Sequence, residues 1–425
     1  MLLPKTNVLS IKPIIEKPVK LNCLQEQLVL TDPFRVSNFD GKGSHYQEIA
    51  IDSLNNIHVV WHDTIPYRKI MYRIYFSSNE SWSKAETISI NDDDVDSFYP
   101  RIFIDSNDTV HVIWREYNST VSILYKFKSD KLWSEIINIT TCSGMGNSHD
   151  IVSKNNITYF IWTHENISAY QLFFRSYSHS YQNFSSINQL TNSTYNSNDP
   201  ELVIDSENKI HLVWEDKGNI SSVPEVHYKV MNQTKWYPDD SYIISLDDGI
   251  RSSESAIGID QNDHLHVVWE DFVSPRVVLY WKNSNALHSN IAKINGEFGG
   301  FHPDVFCGKE TNHFIWLESS SIKYRTVTNN FEWTKIINLT EHSNLMLHPQ
   351  ILATNSSEIH VVWEDYELDN MWEIYHISGC FTLVPPKRQL AITLGVIFSI
   401  AIISTVGLIV LFRHKKKISI NSQAK

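Results

Sequence analysis

The chain has 425 residues, 12% of them aromatic, with few glycines and a formal net charge of −12, a composition that fits a β-rich globular body and excludes a flexible low-complexity polymer. The charge is uneven: residues 385–425 hold seven Lys/Arg and no acid, leaving 29 basic against 48 acidic residues, a net of −19, in the rest. A body that acidic repels phosphate backbones, which excludes nucleic acid as a partner and disfavours anionic ligands wherever no local basic pocket overrides the general field.

In chain order, residues 1–23 form an extension that lacks the apolar core of a secretory signal. An isolated β pattern follows, QLVLT at 27–31. A longer unit then recurs seven times. Its inner strand reads EIAID (48–52), RIFID (101–105), ELVID (201–205), AIGID (256–260) or DVFCG (304–308). After a polar turn comes a strand ending in Trp and acid, IHVVWHD (57–63) in the first copy and IHVVWED (359–365) in the last. The seven tryptophans are Trp61, Trp114, Trp162, Trp214, Trp269, Trp316 and Trp363, spaced 47 to 55 residues apart, the length of one four-stranded propeller blade. An aromatic third strand (RIYFS, 73–77; IKYRT, 322–326) and an outer strand (ETISI, 86–90; IINLT, 336–340) complete the unit. The expected fold is all-β: a seven-bladed β-propeller of four-stranded antiparallel blades over residues 24–381. The seventh repeat stops after its third strand, WEIYHIS (372–378), so 27–31 is expected to supply the missing outer strand and close the ring. Closure brings Cys23 and Cys380 together, and a disulfide there would add about 5 kcal/mol in the chain-entropy picture. Cys142 and Cys307 fall in different blades, and no cysteine has zinc-ligand spacing.

Residues 382–389 form a short linker to LAITLGVIFSIAIISTVGLIVLF (390–412), an uncharged stretch that as a helix is about 34 Å long and spans a bilayer. The basic run in the tail, 413–425, places that end in the cytoplasm and the propeller outside the cell membrane, on a single-pass anchor. Twelve N-x-S/T sequons, Asn79 and Asn107 among them, agree with a glycosylated exterior.

Two features repeat with the blades. His58, His111, His211, His266, His313 and His360 precede the Trp by three positions. Spread around a ring they cannot share an ion whose ligands lie about 2 Å away, so each is expected to hydrogen-bond within its own blade and no metal is expected. Acids follow the Trp: Asp63, Glu116, Glu165, Asp216, Asp271, Glu318 and Asp365, joined by Glu215, Glu270 and Glu364. These mark the face shared by the loops that enter the inner strands, the membrane-distal face. Function belongs where a repeat is broken, which singles out Arg101, Arg115, Arg251, Arg276, Tyr67, Tyr117 and Phe272 on that face. The ligand-binding candidates are Asp63, Arg101, Arg115, Glu116, Glu215, Asp216, Arg251, Glu270, Asp271, Glu364 and Asp365, with no cofactor.

The turns SSNESW (77–82), KSDKLW (128–133), MNQTKW (231–236) and TNNFEW (328–333) close on Trp82, Trp133, Trp236 and Trp333. In these turns the chain resembles the sialidase-like propellers with BNR, or Asp-box, repeats, although the family's Gly and Thr are missing and most copies lack its Asp. The resemblance implies a β-propeller. A sialidase of this type also needs three arginines on a carboxylate, a Tyr–Glu pair and an acid/base Asp; YPRIF (99–103) is the nearest string to the motif of its first arginine. The expected function is therefore a membrane-anchored, non-catalytic recognition module for glycans or proteins. The alternative is a sialidase-like glycoside hydrolase at the cell surface.

Overall fold

Strands dominate because the sequence alternates apolar and polar residues between tight Asx turns. In the first repeat, Asp52 Oδ1 accepts the N–H groups of Leu54 and Asn56 at 2.9 and 2.8 Å, folding the chain back from inner strand to Trp strand. A computed structural model describes residues 25–384 apart from 39, 65, 91–93, 143–145, 147, 167–168, 218–222, 284–290, 329–331, 342–344, 355–357 and 368–370. Seven antiparallel sheets follow one another, each built inner strand, Trp strand, third strand, outer strand. The inner strands are Ser44–Ile51, Asp96–Ile104, His149–Lys154, Ser197–Ile204, Ser252–Ile259, Gly300–Cys307 and Met346–Ala353. They begin several residues before the β patterns seen in sequence, and that extra length carries the site. The outer strands are weaker than expected: in the first blade Ser81–Trp82 and Glu86–Thr87 pair separately with Lys69–Phe76.

The ring closes as the sequence implied. Thr31 N–H donates to Ser378 O at 2.8 Å, Phe34 and Arg35 pair with His376 and Tyr375, and Val36 N–H donates to Ile374 O at 2.7 Å. Of the two cysteines expected to pair at this closure, Cys380 is exposed and Cys23 lies outside the described residues. The span at 390–412 also lies outside them; among the described residues no helix is long and apolar enough to cross a membrane.

The core lies between blades. All seven repeat tryptophans are at most 1% exposed, and Trp114 packs with Val60 and Ile70 of the preceding blade. The turn tryptophans rivet neighbours from outside: Trp133 meets Tyr72 edge-on at 5.1 Å, and Trp236 meets Phe174 the same way at the same distance. The repeated histidines are tied inside their blades, as expected. His58, His111, His211 and His266 pair Nδ1 with the hydroxyls of Tyr72, Tyr125, Tyr228 and Tyr280 at 2.6 to 2.8 Å. On the other ring nitrogen Asp52, Asp205 and Asp260 lie at 3.3 Å from His58, His211 and His266.

Candidate active site

In six blades the start of the inner strand carries a bulge, two residues opposite one on the Trp strand. Register breaks there between His45 and Glu48, Phe98 and Arg101, Asn198 and Glu201, Ser253 and Ala256, Phe301 and Asp304, and Leu347 and Gln350. The first residue of each bulge is left-handed, with φ between 46° and 55°: Tyr46, Tyr99, Asp199, Glu254, His302 and His348. None is glycine, and such conformations cost free energy unless their surroundings enforce them. The enforcement is visible. Glutamates one position after the Trp reach across to the next blade, so that Glu364 accepts Tyr46 N–H at 2.9 Å, Glu215 accepts Glu254 N–H at 2.7 Å and Glu270 accepts His302 N–H at 2.6 Å. Blade three breaks the pattern: His149 pairs directly with Trp162, without a bulge, and Ser148 Oγ accepts Asp199 N–H at 2.9 Å.

All six left-handed side chains line one cavity of about 410 Å³. Below them are Glu48, Arg101, Glu201 and Asp304, also lining residues. Arg101 Nη1 lies 2.5 Å from Glu48 Oε1 and 3.8 Å from Glu201 Oε1. The remaining oxygens stitch blades together: Asp150 accepts Leu202 N–H at 2.7 Å, Glu201 accepts Ile257 N–H at 3.1 Å and Asp304 accepts Ile351 N–H at 2.8 Å. Burial pushes Asp150 and Asp304 up to about 6 and raises Glu201 well above its ordinary value. For Arg101 burial works against the charge, but Glu48 and Glu201 outweigh it and hold the guanidinium protonated.

The mouth above has two sides. One is aromatic. Tyr46 meets Tyr99 edge-on at 4.5 Å, stacks on His62 at 5.6 Å and lies 5.2 Å from the His348 ring, which is 4.8 Å from His302. Burial, then Tyr99, pushes the Tyr46 phenol up to about 12, while burial drives His62 down to about 3. His45 and His348 each donate Nδ1–H to Glu364 at 2.9 Å, and these bonds overcome burial to hold its carboxyl down at about 2.

The other side is acidic, and its two carboxyls differ. Burial, followed by the charge of Glu254, raises Asp199. The ring of His302, 3.6 Å away, lowers Glu254 against the opposing effect of burial. Two carboxyls displaced in opposite directions therefore line one cavity, Asp199 upward through burial and Glu254 downward through its contact with His302.

The sequence-derived candidates separate into three groups. Arg101 is in the cavity wall. Glu215, Glu270 and Glu364 stand behind it, on the backbone of its mouth residues, and Arg251 pairs with Glu215 at 3.4 Å. The remainder are buried elsewhere. Asp63, Asp271 and Asp365 accept the indole N–H of their own blade's Trp at 2.7 to 3.2 Å. Asp216 takes the Trp214 indole N–H and the Ser197 hydroxyl at 3.3 and 2.6 Å, Glu116 takes the Ser97 hydroxyl at 3.4 Å, and Arg115 lies 4.9 Å over the Phe98 ring. Sequence reasoning passed over the mouth residues. Their one signal was the recurring x-Pro step in YPR, DPE, HPD and HPQ, whose first members are Tyr99, Asp199, His302 and His348.

No protein-family model matches the chain, so the Asp-box resemblance rests on the turns alone. No curated protein matches it by sequence. Solved structures do match by fold. One is an ulvan lyase of a new polysaccharide lyase family, bound to -[GlcA(1-4)Rha3S]-, at 10% identity, 80% of this chain, 95% of that one and a TM-score of 0.58. Another is the alpha-L-arabinofuranosidase of Fusarium graminearum with arabinobiose, at 11% identity, 80% and 93% coverage and a TM-score of 0.51. A third is the β-propeller domain of the Trilobed protease from Pyrococcus furiosus, at 7% identity, 81% and 99% coverage and a TM-score of 0.51. At such identities the likeness is one of fold, a seven-bladed propeller whose solved counterparts include polysaccharide lyases and glycoside hydrolases. The expectation of a non-catalytic recognition module is corrected by these carbohydrate-cleaving neighbours, and with it the expectation that the chain is no enzyme.

Proposed function

We propose that the chain is a carbohydrate-active enzyme, a glycoside hydrolase working in the 410 Å³ mouth with Asp199 as general acid and Glu254 as its ionised partner. The observation that carries this is the opposite displacement of two carboxyls lining one cavity, Asp199 upward and Glu254 downward. In this scheme Asp199 donates its proton to the glycosidic oxygen as the bond breaks. Glu254 either attacks the anomeric carbon or takes a proton from the water that does. The Tyr46, Tyr99, His302 and His348 rings offer an aromatic wall against which the apolar faces of sugar rings pack. A three-arginine carboxylate clamp is not part of the proposal, because Arg101 alone of the lining residues is an arginine and Glu48 holds it.

The test is incubation of the purified chain with linear arabinan, pectic and sulfated polysaccharides, following new reducing ends against pH. Release should be greatest on the acid side of neutrality. It should fall as pH rises, when Asp199 loses its proton, and fall again below the ordinary Glu254 value, when that carboxylate gains one. An alkaline optimum would reject the assignment. A β-eliminating lyase is the second reading, favoured by the Tyr46–Tyr99 contact at 4.5 Å with His348 alongside; products absorbing in the ultraviolet, from a new C=C bond, would select it.

We infer also that residues 390–412 anchor this enzyme in a membrane, a reading supported by their length and lack of charge. The full chain is then expected to stay with membranes through alkaline carbonate extraction, and deletion of 390–412 to release it. Extraction of the intact chain would refute the anchor.

A further inference from the structure

The bulge glutamates do more than hold the backbone. Two of them also hold arginines at the rim of the mouth: Arg251 Nη2 lies 3.4 Å from Glu215 Oε2, and Arg276 Nη1 lies 3.0 Å from Glu270 Oε2. The glutamates are almost fully covered, whereas the arginine side chains are 47% and 45% exposed. Each guanidinium thus leans on protein with one nitrogen and presents its remaining donors to solvent. Both flank a single exposed ring, with Arg251 Cζ 4.9 Å and Arg276 Cζ 4.0 Å from the centre of Phe272. The ring fixes two like charges on one spot of a chain whose body is otherwise strongly acidic.

Burial, then Asp199, pushes Glu215 up to about 8, and burial raises Glu270 too. The pair is also close to the chemistry. Glu215 holds both Arg251 and the N–H of Glu254, and Glu270 holds both Arg276 and the N–H of His302. One side chain therefore separates each guanidinium from a mouth residue. We propose that Arg251 and Arg276, braced by Phe272, form a subsite for an anionic substituent, a carboxylate or sulfate, on the sugar next to the one in the mouth. This deepens the enzyme assignment above by naming the substrate class as an acidic polysaccharide. Planar guanidiniums suit either group, since both present oxygens to a fork of N–H donors.

The experiment uses the full-length chain, with Arg251→Gln, Arg276→Gln, the double variant and Phe272→Leu, in affinity gels containing polygalacturonate, dextran sulfate or neutral linear arabinan. Polygalacturonate and dextran sulfate separate a carboxylate subsite from a sulfate one. The unsubstituted chain should be retarded by at least one anionic polymer, less so as salt rises. The double variant should lose about tenfold or more of that affinity, as expected for removal of charge-assisted hydrogen bonds. Retardation by arabinan and the thermal midpoint should stay unchanged. Phe272→Leu should give an intermediate loss, with both charges kept but their brace removed. Three results overturn the subsite: no preference of the unsubstituted chain for either anionic polymer, equal losses on neutral and anionic polymers, or a double variant that binds normally. The enzyme assignment fails independently, when anionic polymers bind through these arginines and none of the polysaccharides is cut.

Discussion

Asp199→Asn and Glu254→Gln should each lower turnover of any polysaccharide the chain cleaves by roughly 100- to 10,000-fold, the range for loss of a positioned general acid or base. Both replacements keep side-chain volume, and the backbone N–H groups of both positions stay held by Ser148 and Glu215. Binding and thermal stability should therefore change little. The contrast is Asp216→Asn. Asp216 is also a carboxyl on this face, but it is buried and serves Trp214 and Ser197, so its replacement should lower the melting temperature and spare turnover per folded molecule. The measurement is a rate assay on the three variants with melting curves alongside. Comparable rate losses in all three, or none in the first two, would remove Asp199 and Glu254 from the chemistry.

Arg101→Met should cost about 3 kcal/mol of stability, the scale for removing one partner from an enclosed ion pair, and lower the melting temperature by roughly 5 °C. Arg101 is one cation among Glu48, Asp150, Glu201 and Asp304, and without it these carboxyls face each other across the cavity floor. The sign of the pH effect follows from linkage. Asp150, Glu201 and Asp304 are already raised by burial in the folded state. Their protonated forms favour folding, and that contribution is lost as pH rises through the folded values. Without the guanidinium the folded values climb further, so the deficit should be larger at pH 8 than at pH 5. Adding Glu201→Gln should restore part of it. A deficit independent of pH would show that Arg101 acts by filling space rather than by charge.

The blade count, the Trp strand and the ring closure were legible because each answers a need repeated seven times, and repetition amplifies a weak signal. The histidines were read correctly for the same reason: six equivalent residues on a ring imply a local partner, which proved to be a tyrosine hydroxyl in most blades and His376 for His360. The mouth was not legible. A bulge adds one residue to a strand, which shifts the alternation without erasing it, so EIAID and RIFID looked like whole strands although Tyr46 and Tyr99 precede them. A left-handed Tyr, Asp, Glu or His has no mark in sequence comparable to glycine. The acids after the Trp were visible, but the sequence could not separate Asp216, which faces its own indole, from Glu215, which faces the next blade. One residue of offset on a strand turns the side chain to the opposite side of the sheet.

The left-handed bulges restrict which amino acids the mouth can ever hold. At φ near 50° a β-branched side chain clashes with its own backbone, so Val, Ile and Thr are barred from the six places occupied by Tyr46, Tyr99, Asp199, Glu254, His302 and His348. Unbranched aromatic, acidic, amide and imidazole groups remain admissible, and at Tyr46, Glu254 and His302 the anchoring of the peptide N–H by a neighbour's carboxylate does not depend on which of them is present. The scaffold thus behaves as a set of sockets with a limited alphabet. Descendants of this chain can exchange one functional group for another at a socket without redesigning the blades, and specificity can drift while the architecture stands still.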